Sequence, residues 1–107
     1  MLQIKVEILL PLYYIDNTRI EDKKYEETHD QIKKQFEGFT MGDRPLLAYW
    51  KDPKTGIRYD NEKNALYWLL CDKTQKNINF IRKLRTALNE RFKQKSILIY
   101  YVNVYRF

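Results

Sequence analysis

The side chains that most readily do chemistry are scarce in this chain: one histidine, His29, and one cysteine, Cys71, in 107 residues. A nucleophilic thiol needs an imidazole or another cation beside it to become a thiolate at neutral pH. Cys71 ends an apolar run and His29 flanks the apolar stripe of a helix. That pattern reads as a buried thiol and a half-buried imidazole, not as a reacting pair. No Cys/His cluster has the spacing of a zinc site and no glycine-rich loop is present to cradle phosphate. No cofactor, no metal and no catalytic residue is expected.

A second constellation is polar. The end of the first strand, a hairpin, the start of the following strand and the end of the second helix should meet at one edge of a sheet. That edge gathers Asp16, Trp50, Asp52, Asp60, Glu62, Arg91 and Gln94. Carboxylates beside an arginine and an amide can bind a polar small molecule or hold a divalent ion, so the candidate ligand residues are Asp16, Trp50, Glu62, Arg91 and Gln94. The plainer alternative pairs Glu62 with Arg91, bonds Gln94 to local backbone and leaves the other acids to solvate turns.

The third constellation is charge. The net charge is +6, yet residues 73–95 alone hold eight basic side chains against Glu90, so this segment is +7 and the rest of the chain −1. Lys76, Arg82, Lys83 and Arg85 on the second helix are candidate nucleic-acid contacts, because clustered cations neutralise phosphates and release counterions. The alternative is a solvated helix face whose last cations offset the dipole. Aromatic residues could add stacking: Trp50, Tyr67 or Trp68, and Tyr100 or Tyr101, the members of each pair being indistinguishable by strand parity alone. The strands do not carry the signature of RNA-recognition domains, and a basic helix on the covered side of a sheet would not share a surface with aromatics on the open side.

These residues must be positioned by a small number of elements. Leu2–Leu10 alternates apolar and polar residues as a strand does. Asp16-Asn17-Thr18 is a turn cluster, and a helix follows over about Asp22–Phe36, with Gly38 expected to end it in a left-handed conformation. A strand over Leu46–Lys51 leads into Asp52-Pro53-Lys54-Thr55-Gly56, a hairpin in which Pro53 presets one dihedral and Gly56 permits a positive one. Ala65–Cys71 is apolar at every position, as expected of a central strand covered on both sides. Asp72 and Thr74 offer N-caps for a second helix over Gln75–Phe92, with a stripe of Ile78, Ile81, Leu84, Leu88 and Phe92. Ser96–Phe107 is the last strand.

The order βαββαβ predicts a single α+β domain, residues 1–107, of ferredoxin-like architecture: a four-stranded antiparallel sheet, strand order 4-1-3-2, with both helices on one face. The chain resembles a family of small uncharacterised bacterial domains through Phe36-x-Gly38-Phe39-Thr40, Trp50, Gly56, Glu62 and Arg91-Phe92-x-Gln94-x-Ser96-Ile97-Leu98. The resemblance implies the same fold and adds no activity.

A hydrophobic fraction of 44% is that of a globular chain. One cysteine permits no internal disulfide, no signal segment is apparent, and the longest apolar run, Ile8–Ile15, is broken by Pro11, so a soluble cytoplasmic protein with no membrane contact is expected. The helices leave one sheet face bare, and the last strand would be an edge. The expectation is therefore a small binding or scaffolding module that forms a homodimer through its sheet. A nucleic-acid partner is the alternative, extending to metal-dependent nuclease chemistry with Asp16 just after the first strand, as in small dimeric nucleases of this fold. A small-molecule enzyme at the Glu62/Arg91 edge is the third.

Overall fold

The structure, a computed structural model, describes residues 2–107. Seven elements follow in the order β1 (Gln3–Pro11), α1 (Asp22–Gln35), β2 (Thr40–Met41), β3 (Leu46–Lys51), β4 (Arg58–Asp72), α2 (Gln75–Arg91) and β5 (Leu98–Val104). Apart from β2 this is the ferredoxin-like βαββαβ order. β4 and β1 are central, β5 lies outside β1, and β2 and β3 share the outer side of β4, every pairing being antiparallel. The fifth strand exists because β4 is far longer than its apolar run. β3 pairs with the polar half, Arg58–Asn64, which leaves Tyr67 and Trp68 free to pair with Met41 and Thr40.

Alternation along β1 buries Ile4, Val6, Ile8 and Leu10 and leaves the residues between them partly exposed. The stripes of α1 (Tyr25, Thr28, Ile32) and α2 (Ile81, Leu84, Leu88), with Phe36 and Phe92 just beyond them, close over that face. Each fully buried Leu or Ile there contributes roughly 2 kcal/mol of transfer free energy. Thr74 caps α2, its hydroxyl accepting the Asn77 amide at 3.1 Å.

Opposed residues in an antiparallel pair share a face, so register assigns the aromatics. Tyr67 and Tyr101 lie opposite Ile8 and Val6, on the helix side, whereas Trp68 and Tyr100 flank Glu7 on the bare side. β4 is thus covered on one side only, contrary to the expectation for its apolar run: Tyr67, Leu69 and Cys71 are buried, and Leu70 on the other face is 38% exposed.

The end of α1 also differs from expectation. Gly38 is not left-handed; α1 stops because Phe36 turns extended at φ −121°, its amide still bonded to Ile32 O. At the end of α2 the left-handed residue is Lys93, φ 53°. Gln94 N donates to Asn89 O and Lys93 N to Glu90 O, the paired bonds of a Schellman motif. In the β3–β4 hairpin, Gly56 has the expected positive φ, 74°.

Candidate functional site

The β1–α1 connection is held by its own chemistry. Asp16 Oδ1 accepts from Thr18 N at 3.0 Å and Thr18 Oγ1 at 2.6 Å, which lowers the Asp16 pKa, and Asn17 turns left-handed at φ 69°. Arg19 donates to Leu12 O and Ile20 O, both at 3.0 Å, locking the base of this excursion. Tyr14 then acts as a post: its hydroxyl bonds Glu21, and the ammonium groups of Lys24 and Lys93 lie 4.9 and 5.2 Å from its ring centre. These contacts tie the loop to the start of α1 and the end of α2.

Opposite that loop, the polar half of β4 carries a bulge. The register with β3 shifts between Ala48 and Trp50, and Asn61 adopts φ 58°. An extra residue at this point changes which side chains face together. Trp50 consequently stacks on Tyr59, centroids 4.5 Å apart and planes within 13°, and its Nε1 donates to Glu62 Oε2 at 2.8 Å. Tyr49 donates to Asn61 Oδ1 at 2.6 Å, fixing the bulge from its other side.

Between loop and bulge lies a cleft of about 620 Å³, within the range of roughly 300–1,000 Å³ typical of small-molecule sites. Tyr13, Tyr14 and Tyr59 give it aromatic walls, while Asp60, Glu62, Arg58, Lys63 and Gln94 give it polar groups, two acids balanced by two cations. Glu62 has one oxygen engaged by Trp50; the other takes no partner among the described residues. Asp60 has only Arg58 at 3.7 Å, an exposed pair of little strength. Gln94 Nε2 donates to Phe92 O at 3.0 Å, leaving its carbonyl oxygen for the cleft.

Of the five candidate ligand residues, Glu62 and Gln94 line the cleft directly, and Trp50 reaches it through Tyr59 and Glu62. Asp16 sits in the turn beside it, bonded to Thr18. Asp52 caps its own hairpin by accepting Lys54 N at 2.8 Å. Arg91 departs from expectation. It turns to α1, donating to Thr28 Oγ1 at 2.7 Å and Gln31 Oε1 at 2.8 Å, with Glu27 at 3.6 Å, and forms no pair with Glu62. Its reach is set by the α2 stripe, which aims residue 91 across the helix pair. Tyr13, Tyr14, Tyr59 and Asn61 were not among the candidates. Asp60-Asn61, two turn-prone residues inside a strand, was the available signal for the bulge.

His29 and Cys71 do not form a reacting pair. His29 packs on Phe39 and Tyr67, centroids 5.0 and 5.3 Å away, and its Nε2 meets the Tyr67 hydroxyl at 3.0 Å. Burial, with Lys33 nearby, lowers the His29 pKa, and burial pushes Tyr67 up to about 12. Burial, seconded by Asp72, raises the Cys71 thiol, the opposite of activation. Among the described residues, no three His, Cys, Asp or Glu side chains gather to hold a metal ion.

The basic residues Lys76, Arg82, Lys83 and Arg85 are all exposed along α2. One expectation about them changes. Tyr101, on the helix side, shares a groove with Arg82 and Arg85, so cations and an aromatic do meet on this surface.

No family model matches the chain, and no curated protein matches it. Solved structures do. A phage SAM lyase in complex with S-methyl-5'-thioadenosine aligns with TM-score 0.69 at 15% identity, covering 97% of this chain and 90% of that one. GlnK of B. subtilis aligns with TM-score 0.59 at 11% identity, covering 97% and 86%. A de novo designed protein, Foldit4, aligns with TM-score 0.52 at 8% identity, covering 98% and 99%. At these identities the likeness is one of fold: the chain is a small ferredoxin-like module, and no helix among the described residues is long and apolar enough to cross a membrane.

Proposed function

We propose that this protein is a small-molecule-binding module whose ligand occupies the cleft between the β1–α1 loop and the bulged half of β4. The ligand class we assign is an adenosine-bearing thioether or sulfonium. The observation that carries the reading is the pairing of aromatic walls with a half-satisfied carboxylate in one cleft of suitable size. Tyr59, held on one face by Trp50, can stack a flat base on its other face, and the Glu62 carboxylate adds charge for a sulfonium or an ammonium group, while Tyr13 and Tyr14 already carry Arg19, Lys24 and Lys93 against their rings. The phage enzyme with the same fold was solved with S-methyl-5'-thioadenosine, and this chain's cleft has chemistry that fits such a molecule.

As an enzyme the chain would act as a lyase on S-adenosylmethionine. The bond between sulfur and the aminobutyryl carbon breaks, and sulfur keeps the electron pair to become the neutral thioether. The carbon is relieved by losing a neighbouring proton or by closing onto the substrate's own carboxylate, so no co-substrate is consumed. Incubation with S-adenosylmethionine followed by mass spectrometry tests this. Protein-dependent methylthioadenosine, reduced in Glu62→Gln, is the expected result; substrate recovered unchanged at high protein concentration would refute the lyase reading.

A second reading concerns the bare sheet face and is compatible with the first. Leu70, Leu98, Tyr100 and Val102 are 38–53% exposed on that face, an apolar patch with no helix over it. We assign it to self-association, a second copy covering it as one sheet covers another. The Lys5–Glu7 pair at 3.1 Å crosses its centre, so two copies meet there without net charge. Light scattering should give a dimer or larger assembly that Leu98→Glu splits; a monomer at all concentrations would exclude it.

A further inference from the structure

We propose that the groove between α2 and β5 binds single-stranded nucleic acid, one base entering the groove while Arg82 and Arg85 hold its flanking phosphates. This site is separate from the Glu62 cleft and does not depend on it. The groove measures about 370 Å³, enough for a nucleobase, and its floor is Ile78, Ile81 and Ile99. Tyr101 stands in its wall, 42% exposed although it projects on the helix side, and Lys73 lies 5.5 Å from the centre of that ring. A flat apolar slot with a tyrosine wall and guanidinium rim is what a stacked base and its phosphates require.

Charge selects the occupant. Arg82 and Arg85 are exposed and three residues apart, about 4.5 Å along the helix axis, so they can reach phosphates next to one bound base. They sit in the segment whose eight cations face a single acid. The bare sheet face, by contrast, has Lys5 paired with Glu7 at its centre and so offers a phosphate backbone no cluster of cations there. An acidic peptide would satisfy the arginines but leave the tyrosine and the isoleucine floor without a flat partner.

Fluorescence anisotropy with labelled oligothymidine, titrated over a range of salt, tests the proposal. Three contacts (Lys73, Arg82 and Arg85) predict a log–log salt slope near −2, at about 0.7 per phosphate neutralised on a single strand. Arg82→Gln/Arg85→Gln should flatten that slope to below about 1, whereas Tyr101→Ala should weaken binding roughly 5- to 100-fold with the slope unchanged, as loss of stacking does. Exposed positions were chosen so that the variants fold, which their melting curves check. Three results would overturn the proposal: no binding at low salt; a Lys76→Gln/Lys83→Gln variant losing as much as the arginine pair while Tyr101→Ala loses nothing; or polyglutamate binding more tightly than oligothymidine.

Discussion

Arg91 provides the sharpest test of how the two helices and the cleft are divided. Replacing it by Met keeps an aliphatic stem while removing the guanidinium. Its side chain is 17% exposed and donates to two neutral oxygens, on Thr28 and Gln31, both bonds shorter than 2.9 Å. Hydrogen bonds from a charged group contribute about 1.5–3 kcal/mol each. Thr28 is not orphaned by the change, because its hydroxyl also donates to Lys24 O at 2.8 Å. The contact with half-exposed Glu27 adds about 0–1 kcal/mol. Relief from desolvating the guanidinium offsets part of this, so a net loss of about 2 kcal/mol is expected, on the order of 10 °C in Tm for a domain of this size. Denaturant unfolding of a double-mutant cycle makes the test specific. Arg91→Met with Gln31→Ala should show coupling of about 1 kcal/mol, whereas Arg91→Met with Glu62→Gln should be additive to within about 0.5 kcal/mol. Coupling of about 1 kcal/mol or more between Glu62 and Arg91, or a loss below about 0.5 kcal/mol for Arg91→Met, would refute the assignment of Arg91 to the helix pair.

Two further outcomes follow from backbone and titration. Lys93→Gly relieves a left-handed residue, worth about 1–2 kcal/mol in conformational strain, but takes on glycine's greater unfolded entropy and loses a cation–π contact with Tyr14 of about 0.5 kcal/mol. A net gain of a few tenths to about 1 kcal/mol is expected in thermal unfolding; a loss would mean the Tyr14 contact dominates. His29 has its pKa lowered in the folded state from 6.5, so the unfolded chain binds the extra proton first as pH falls. Stability is then full above the unfolded pKa and declines as pH drops below about 6.5 toward the folded value. His29→Gln should flatten this decline in unfolding free energy above the range where carboxylates such as Glu7, held low by the Tyr100 hydroxyl and Lys5, begin to titrate.

How far the sequence could be read follows from which residues obey a local rule. β1, both helices and the hairpin turn were readable because alternation, the 3.6-residue stripe and Gly56 each act through neighbours in the chain. The gathering of Glu62, Gln94 and the β1 end at one edge was readable from topology alone. The partner of Arg91 was not, because Glu62 and Gln31 are both distant in sequence and only the rotation of α2 about its axis chooses between them. Lys93 was missed for a related reason: glycine marks a left-handed helix end, and a lysine held there by paired backbone bonds carries no such mark. β2 and the Asn61 bulge depend on β4 continuing through Arg58–Asn64, where polar residues hide a strand that β3 stabilises by pairing.

The proposed site for adenosine thioethers and sulfoniums is the cleft of Tyr13, Tyr14, Tyr59 and Glu62. Titration calorimetry with S-methyl-5'-thioadenosine and with S-adenosylmethionine tests it directly. Saturable binding of both is expected, weakened roughly 5- to 100-fold in Tyr59→Ala by loss of aromatic stacking of about 1–3 kcal/mol, with Glu62→Gln weakening the cationic ligand more than the neutral one. Absence of heat for both ligands with folded protein, or binding that neither substitution alters, would contradict it.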